Sequence, residues 1–204
     1  MGPRALAERR IERWTMTETE ILGHFVNTGA LLDGHFCLRS GLHSNKYFQA
    51  ALVLQQTRIA AALCGELASH FSGYGAETVI SPAVGGIVVG QEVGRSLGVR
   101  AIFAEKDEES NLLLRRGFSL KPNEKVLVAE DVITKGGRVQ QTVDLVRGWG
   151  AEVVGVAVLV DRSDGTIDFG VPVKSLLRLK LATYSPDTCP LCQQNLPIDK
   201  PGSK

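Results

Sequence analysis

One stretch of the sequence, Val126–Arg138, constrains the fold of this chain more than any other. It begins with an apolar run, Val126–Ala129, of the kind that forms a buried parallel strand. Two acids follow, Glu130 and Asp131, and after two β-branched residues comes a loop segment, Thr134–Gly137. A helical pattern begins where the stretch ends. The order of strand, acids, glycine-bearing loop and helix predicts an α/β fold with this loop at the carboxyl edge of a sheet.

The same order suits a phosphorylated sugar. A helix start offers unpaired N–H groups and a positive dipole end to a phosphate, and Gly136 and Gly137 let the backbone approach the anion. Thr134 adds a hydroxyl group. Glu130 and Asp131 would repel the phosphate but suit sugar hydroxyls, or a Mg²⁺ held through water. The structural alternative is a tight turn with two solvated acids. It is weakened because acids directly after a buried strand carry a desolvation cost unless something uses them.

The pattern V-L-V-x-E-D-V-I-T-x-G-G resembles the phosphoribosyl-pyrophosphate (PRPP) motif of the type I phosphoribosyltransferases. The resemblance implies an α/β fold with a central, mostly parallel sheet flanked by helices and a small N-terminal hood. It also implies that Glu130 and Asp131 bind the ribose hydroxyls, with Asp131 a catalytic residue. The residues expected to bind the 5′-phosphate are Val132, Ile133, Thr134, Lys135, Gly136, Gly137 and Arg138. Lys135 stands where the family has a small residue or Thr, and Arg138 where it has Ser, Thr or Ala.

A second motif narrows the range of possible substrates. Residues 34–48 alternate like two strands joined by a turn, which predicts a hairpin. Its run L-R-S-G-x-x-S-x-x-Y-F resembles the N-terminal segment of the orotate phosphoribosyltransferase branch. The resemblance implies that Arg39 binds PRPP and that Tyr47 and Phe48 lie beside the orotate ring. Arg162 follows a β-branched run at the sheet edge where ligands gather, so it could bind a carboxylate bidentately. The resemblance implies that Arg162 binds the carboxylate of orotate. It also implies that Thr134 contacts orotate. A plain turn is the alternative for the segment around Arg162.

Two further segments complete the expected site. Ser81–Ile87 is a second strand–glycine loop–helix unit and resembles the family's pyrophosphate loop. Some orotate enzymes carry a lysine there; this chain has Val84 and Gly85, so a cation must come from elsewhere or is not needed. Residues 105–123 are charged and predict an exposed hairpin or a mobile loop. The resemblance makes this segment a flap that closes over the site. Lys106 matches a basic position of that flap and is expected to bind PRPP and to be catalytic, with Arg115 and Arg116 as candidates to compensate for its acids.

Composition and charge exclude several classes of protein. The chain has 204 residues and a net charge of +1, which gives no sign of nucleic-acid binding. No apolar run approaches the ~20 residues that a membrane helix needs. Residues 1–13 lack the apolar core of a signal peptide, so we expect a cytoplasmic protein. The predicted organisation is an N-terminal extension (1–16), one phosphoribosyltransferase domain (17–192, with a hood at about 17–56) and a tail (193–204) that is disordered from Ile198.

The cysteines predict no metal site. Cys37 and Cys64 lie in apolar surroundings and are expected to be buried thiols. Cys189 and Cys192 form a C-x-x-C pair, which supplies only half of a four-ligand zinc site. A zinc site shared across a dimer is the alternative. The preferred interpretation is a pair without metal, so no residue is predicted to ligate one.

Together the two motifs predict an orotate phosphoribosyltransferase, a glycosyltransferase of pyrimidine (UMP) biosynthesis. It would take PRPP and orotate as substrates and Mg²⁺ as cofactor, and the resemblance implies a homodimer. One alternative is a phosphoribosyltransferase for another base, such as a purine; the hairpin and Arg162 argue against it. The other is a PRPP-binding regulator without catalysis, which the acid-rich flap keeps open.

Overall fold

Strands and helices alternate along most of the chain, as the sequence predicts. The computed structural model describes residues 16–38, 40–163, 165 and 167–201. The predicted extension, apart from Met16, and the candidate ligand Arg39 lie outside these residues. In chain order the elements are α1 (Glu18–Asn27), β1 (Leu31–Cys37), β2 (His43–Phe48), α2 (Ala50–Leu54), α3 (Thr57–Ser69), β3 (Thr78–Pro82), α4 (Gly86–Leu97), β4 (Arg100–Lys106), β5 (Leu112–Leu114), β6 (Lys125–Ile133), α5 (Gly137–Gly148), β7 (Glu152–Asp161), β8 (Val173–Arg178), β9 (Thr183–Tyr184) and α6 (Pro190–Gln193).

The central sheet has six strands in the order β5-β4-β3-β6-β7-β8. Every neighbouring pair is parallel except β4 and β5, which form an antiparallel hairpin. β6 and β7 are interior strands of the sheet, and their nearly continuous apolar runs fit strands that are covered on both faces. This mostly parallel sheet confirms the predicted fold class.

Two apolar cores cover the two faces of the sheet. Successive residues of β6 alternate between them, with Leu127 in the core that contains α3 and α4 and Val128 in the core that contains α5. On α5, Val139, Val143 and Val146 are at most 1% exposed, and burying each contributes about 1.5–3 kcal/mol relative to exposure. This packing fixes the N-terminus of α5 at the carboxyl edge of the sheet.

The hood is a separate three-stranded antiparallel sheet in the order β1-β2-β9. It confirms the predicted hairpin and adds a strand that the sequence analysis missed, because β9 pairs with β2 across a long stretch of chain. Ahead of the hood, Thr17 and Glu20 form a capping box at the start of α1. Within the described part of the chain, no helix is both long and apolar enough to cross a membrane.

The C-terminal segment belongs to the hood, which corrects one expectation. The tail was predicted to be disordered from Ile198, but Asp199 forms a β-bridge with Phe36. The Asp199 amide donates to the His35 carbonyl (2.8 Å), and the Cys37 amide donates to the Asp199 carbonyl (2.9 Å). The prediction was wrong here because the polar composition of the tail gives no sign of a main-chain partner that lies far away in the sequence.

Candidate active site

Two helix N-termini meet at the carboxyl edge of the central sheet. β3 and β6 are parallel neighbours, so the loops that follow them lie side by side. α4 starts after Gly85 and α5 after Gly136, and neither N-cap residue makes a side-chain capping bond. The first amides of both helices therefore have no partner within the helix and can donate to an anion.

The phosphate loop, Val132–Arg138, forms a concavity of its own. Together with Val139 it lines a cavity of about 80 Å³. Gly136 has a φ of 75°, and a Cβ built there would lie 3.0 Å from Ile167 and 3.1 Å from Phe169. Only glycine fits both this backbone conformation and this contact. The loop conformation thus depends on a residue that the sequence analysis had selected for its approach to an anion.

Glu130 and Asp131 lie near the carboxyl end of β6, in different environments. Glu130 is 5% exposed, whereas Asp131 is half-buried. Burial, followed by the neighbouring charge of Asp131, raises the pKa of Glu130 to about 9. The Asp131 carboxylate accepts a hydrogen bond from the Val132 amide at 2.8 Å. Near neutral pH the Glu130 side chain is therefore a neutral acid that can donate a hydrogen bond.

The loop after β3 packs directly against these acids. A Cβ built at Gly85 would lie 2.7 Å from a carboxylate oxygen of Asp131, and one at Gly86 would lie 2.9 Å from a carboxyl oxygen of Glu130. The sequence analysis did not connect these glycines with the acids. The only available signal was a glycine pair directly after a predicted strand, since the contact itself depends on sheet order.

Arg138 joins the two loops. Its guanidinium Nη1 donates to the Ala83 carbonyl at 2.9 Å, and the side chain is otherwise exposed. The Ala83–Val84 peptide bond beside this contact is cis. The residue noted as a departure from the family pattern thus places a cation at the loop that lacks a lysine.

A half-buried arginine, Arg162, lies beyond the phosphate loop. The Arg162 amide donates to the Ile133 carbonyl at 2.8 Å, which fixes the residue to the end of β6. Its guanidinium Nε is buried and has no hydrogen-bond partner among the described residues. Burial lowers the pKa of Arg162, and the phenol of Tyr47 lies close enough to offset part of that shift. A buried charged N–H group without a partner is costly, so this position suits an anionic partner such as a carboxylate.

The two aromatic residues of the hairpin, Tyr47 and Phe48, lie in different environments. Tyr47 is half-buried, and its ring lies 5.7 Å from that of Phe36. Phe48 is 7% exposed and packs on Phe25 at 5.3 Å. Adjacent residues of a strand face opposite ways, so the ring of Phe48 belongs to the core. This placement argues against the predicted contact of the Phe48 ring with orotate.

The predicted flap is a hairpin built on β4 and β5. Lys106 is exposed at the end of β4 and makes no ion pair with the described residues. Arg116 instead donates to both carboxylate oxygens of Glu105, at 2.7 and 3.1 Å. Arg116 therefore neutralises an acid of the flap, which leaves Lys106 and Arg115 as the flap cations that could reach a ligand. Thr134 and Lys135 are exposed on the phosphate loop.

Comparison with known proteins gives consistent matches. Residues 53–180 match the family model described as phosphoribosyl transferase domain. Orotate phosphoribosyltransferases from Chlorobaculum parvum and Desulforamulus reducens are each 55% identical over 189 residues, or 93% of this chain and 97% and 98% of theirs. The crystal structure of orotate phosphoribosyltransferase from Aeropyrum pernix has a TM-score of 0.67 and 25% identity, covering 78% of this chain and 94% of that one.

Proposed function

The chain belongs to the orotate phosphoribosyltransferase family, and we propose that it transfers the phosphoribosyl group of PRPP to orotate. The products would be orotidine 5′-monophosphate and pyrophosphate, a step of pyrimidine (UMP) biosynthesis. One observation carries the proposal: the phosphate loop and its adjacent acids share a sheet edge with Arg162, a half-buried arginine whose buried Nε has no hydrogen-bond partner among the described residues. Phosphate, sugar hydroxyls and a carboxylate are the groups that these features suit.

The ribose 5′-phosphate would lie in the phosphate loop. The first amides of α5 and the hydroxyl of Thr134 can donate to its oxygens. Main-chain N–H groups dominate this arrangement, so the unusual side chain at Lys135 leaves it intact. Glu130 and Asp131 would hold the ribose hydroxyls at the other end of the sugar.

Mg²⁺ is the proposed cofactor. Asp131 offers a hard carboxylate oxygen in a half-buried position, which is the ligand type that Mg²⁺ accepts together with water and substrate phosphate oxygens. Bound there with PRPP, the ion would supply Lewis-acid stabilisation of the leaving pyrophosphate. The protein's own part is to orient the ribose through Asp131 and to hold Glu130 beside it.

Main-chain amides and cationic side chains from several segments would bind the pyrophosphate. The amides of the loop after β3 face the same edge as the phosphate loop. Arg138 reaches that loop through the Ala83 carbonyl, and we propose that it substitutes for the lysine of other family members. Lys106 would approach from the flap in a catalytic role. Arg39 remains a predicted PRPP ligand on the basis of the resemblance.

Orotate would bind against Arg162, with its carboxylate on the guanidinium. Tyr47 would flank the base, and Thr134 would contact it from the phosphate loop. In the reaction the bond from the anomeric carbon to pyrophosphate breaks and a bond to the orotate ring nitrogen forms. Positive charge develops on the ribose in between, as in glycoside cleavage. The residues act mainly by positioning two substrates and neutralising the leaving group.

We further propose a cytoplasmic homodimer, in keeping with the family. The purine alternative is disfavoured because a purine has no carboxylate to pair with Arg162. The regulator alternative is disfavoured because the similar proteins are orotate phosphoribosyltransferases and because Lys106 remains exposed on the flap.

The test is the loss of orotate absorbance when the purified protein is mixed with orotate, PRPP and Mg²⁺. We expect decay that requires all three, with one pyrophosphate released per orotate consumed. Parallel reactions with adenine, hypoxanthine and uracil serve as controls for the base. Binding of PRPP without consumption of orotate would contradict the proposal, and consumption of a purine instead would reassign the substrate.

A further inference from the structure

Four potential metal ligands meet inside the hood, away from the candidate active site. His35 lies on β1 and His43 on β2, while Cys189 and Cys192 flank the start of α6. One ligand atom from each residue lies within 4.8 Å of all the others. The two histidines are 5% and 8% exposed and Cys189 is 1% exposed. The chain thus brings two buried imidazoles, the buried thiol of Cys189 and the half-buried thiol of Cys192 into one small volume.

The distances between these atoms fit a tetrahedral ion. Tetrahedral zinc with ordinary bond lengths would place two nitrogens ~3.3 Å apart and a nitrogen and a sulfur ~3.6 Å apart. His35 Nε2 lies 3.1 Å from His43 Nδ1. The measured nitrogen–sulfur distances are 3.6 Å for Cys189 and 3.7 Å for Cys192 to His35, and 3.2 Å for Cys192 to His43. These four separations fit one tetrahedral ion, and the two remaining pairs of ligand atoms lie within 4.8 Å.

The tautomer of His35 is set for coordination. Its Nδ1 lies 2.9 Å from the Leu196 carbonyl oxygen, which only accepts, so this nitrogen carries the proton. The lone pair of Nε2 is then directed towards the two sulfurs and His43. Metal-binding histidines usually donate their other ring N–H to a carbonyl or carboxylate in this way.

We propose that His35, His43, Cys189 and Cys192 bind a structural Zn²⁺ ion. Two thiolates and two imidazoles in tetrahedral array are a typical zinc ligand set. Because four protein ligands fill every position, the ion would have no open site for a substrate. The sequence analysis considered only two of the four ligands, the cysteines of the C-x-x-C pair. The other half comes from the hairpin of the same chain, so no second subunit is needed to complete it.

The zinc would fasten the C-terminal segment to the hood. Main-chain bonds already join Asp199 to β1 and Tyr184 to β2, and Cys189 and Cys192 lie between these two attachments in the sequence. β2 also carries Tyr47, the residue proposed to flank orotate. Loss of the ion would therefore loosen the hood on its base-binding side, while the phosphate loop, formed within the central sheet, would remain.

The composition of the chain provides matched controls. It has four histidines and four cysteines, and two of each lie outside the cluster. The tag-free protein, purified with reducing agent and without chelator, is analysed by mass spectrometry for metals. We expect about one zinc ion per chain, lost in Cys192→Ser and in His43→Asn and retained in Cys37→Ser and His70→Asn. Chelation should lower the melting temperature of the wild type but not that of Cys192→Ser.

Cobalt provides a readout that does not depend on the variants folding. Wild-type protein exchanged with Co²⁺ should show thiolate-to-cobalt charge transfer and the intense visible bands of a tetrahedral site. Wild-type protein that takes up neither zinc nor cobalt would overturn the proposal. So would bound iron in place of zinc, a disulfide between Cys189 and Cys192 in the freshly purified protein, or equal zinc loss from Cys192→Ser and Cys37→Ser.

Discussion

The two halves of the candidate site are built in different ways. The phosphate half is one continuous segment, Val132–Arg138, whose ligand-binding groups are mostly main-chain amides. The base half joins Tyr47 from the hood to Arg162 at the end of β7, and it works through side chains brought together by the fold. A main-chain cradle tolerates Lys135 and Arg138 in place of the usual small residues, because the amides stay where they are. A side-chain site has no such tolerance, since each group makes its own contact.

The largest expected effect is on the acid next to the phosphate loop. Asp131→Asn keeps the shape of the side chain but removes its charge, and a hydrogen bond to a charged group contributes about 1.5–3 kcal/mol. We expect kcat/KM to fall by roughly 100-fold, measured by orotate consumption. Asp144→Asn, an exposed acid on α5 that bonds Gln140, is the control. Wild-type kinetics in Asp131→Asn would remove the assignment of this residue.

Arg162→Ala tests the base half. Loss of a bidentate contact to the orotate carboxylate should raise KM for orotate by roughly 30-fold and leave the binding of PRPP nearly unchanged. Steady-state kinetics and calorimetry with PRPP measure the two effects separately. Arg178→Ala, at the end of the neighbouring strand and largely exposed, should change neither. An equal loss of affinity for both substrates would argue that Arg162 is structural.

Gly136→Ala tests whether PRPP binding depends on the backbone conformation of the phosphate loop. The left-handed conformation costs an alanine about 1–2 kcal/mol, and the Cβ would also meet Ile167 at 3.0 Å. We expect KM for PRPP to rise roughly tenfold. Gly98→Ala is a matched control, because Gly98 has a φ of 73° with nothing within 4 Å of its Cβ position. Gly98→Ala should lose stability without a change in PRPP binding. If Gly98→Ala and Gly136→Ala weaken PRPP binding equally, the phosphate loop does not bind PRPP as proposed.

Arg138→Ala should have a smaller effect, because the side chain is exposed and adds to the cradle. We expect the inhibition constant of pyrophosphate to rise about fivefold, with Arg138→Lys intermediate since it keeps the charge and loses the planar fork. Product inhibition measured at low ionic strength checks this. Unchanged inhibition in Arg138→Ala would mean that the contact with Ala83 only joins the two loops.

The pH dependence of stability reports on Glu130. Its folded-state pKa of about 9 lies above the usual 4.5. The protonated carboxyl therefore contributes stability that is fully present below about pH 4.5 and is lost as the pH rises towards 9. Relative to Glu130→Gln, the wild type should lose about 1 kcal/mol of unfolding free energy per pH unit between these limits. Denaturant titrations at several pH values measure the free energy of unfolding of both proteins. If that free energy changes with pH in the same way in the wild type and in Glu130→Gln, the Glu130 carboxyl is more solvated than the structure indicates.

These contrasts explain what could be predicted from the sequence. Helix starts, buried strands and the phosphate loop depend on neighbours in the chain, so local patterns were sufficient for β6 and α5. The core position of Phe48 was missed because a family motif names a residue without its orientation. The bond from Arg138 to Ala83 depends on β3 lying beside β6. The cluster of His35, His43, Cys189 and Cys192 depends on closing a loop of more than half the chain, and no local spacing records that.

The separability of the two halves is tested most directly by one pair of variants. The dissociation constant of PRPP and the KM of orotate at saturating PRPP are measured for Gly136→Ala and Arg162→Ala. We predict opposite patterns, with PRPP binding weakened only in Gly136→Ala and orotate KM raised only in Arg162→Ala. If each variant shifts both constants by the same factor, the site acts as one coupled unit, and the division into a main-chain cradle and a side-chain base site is wrong.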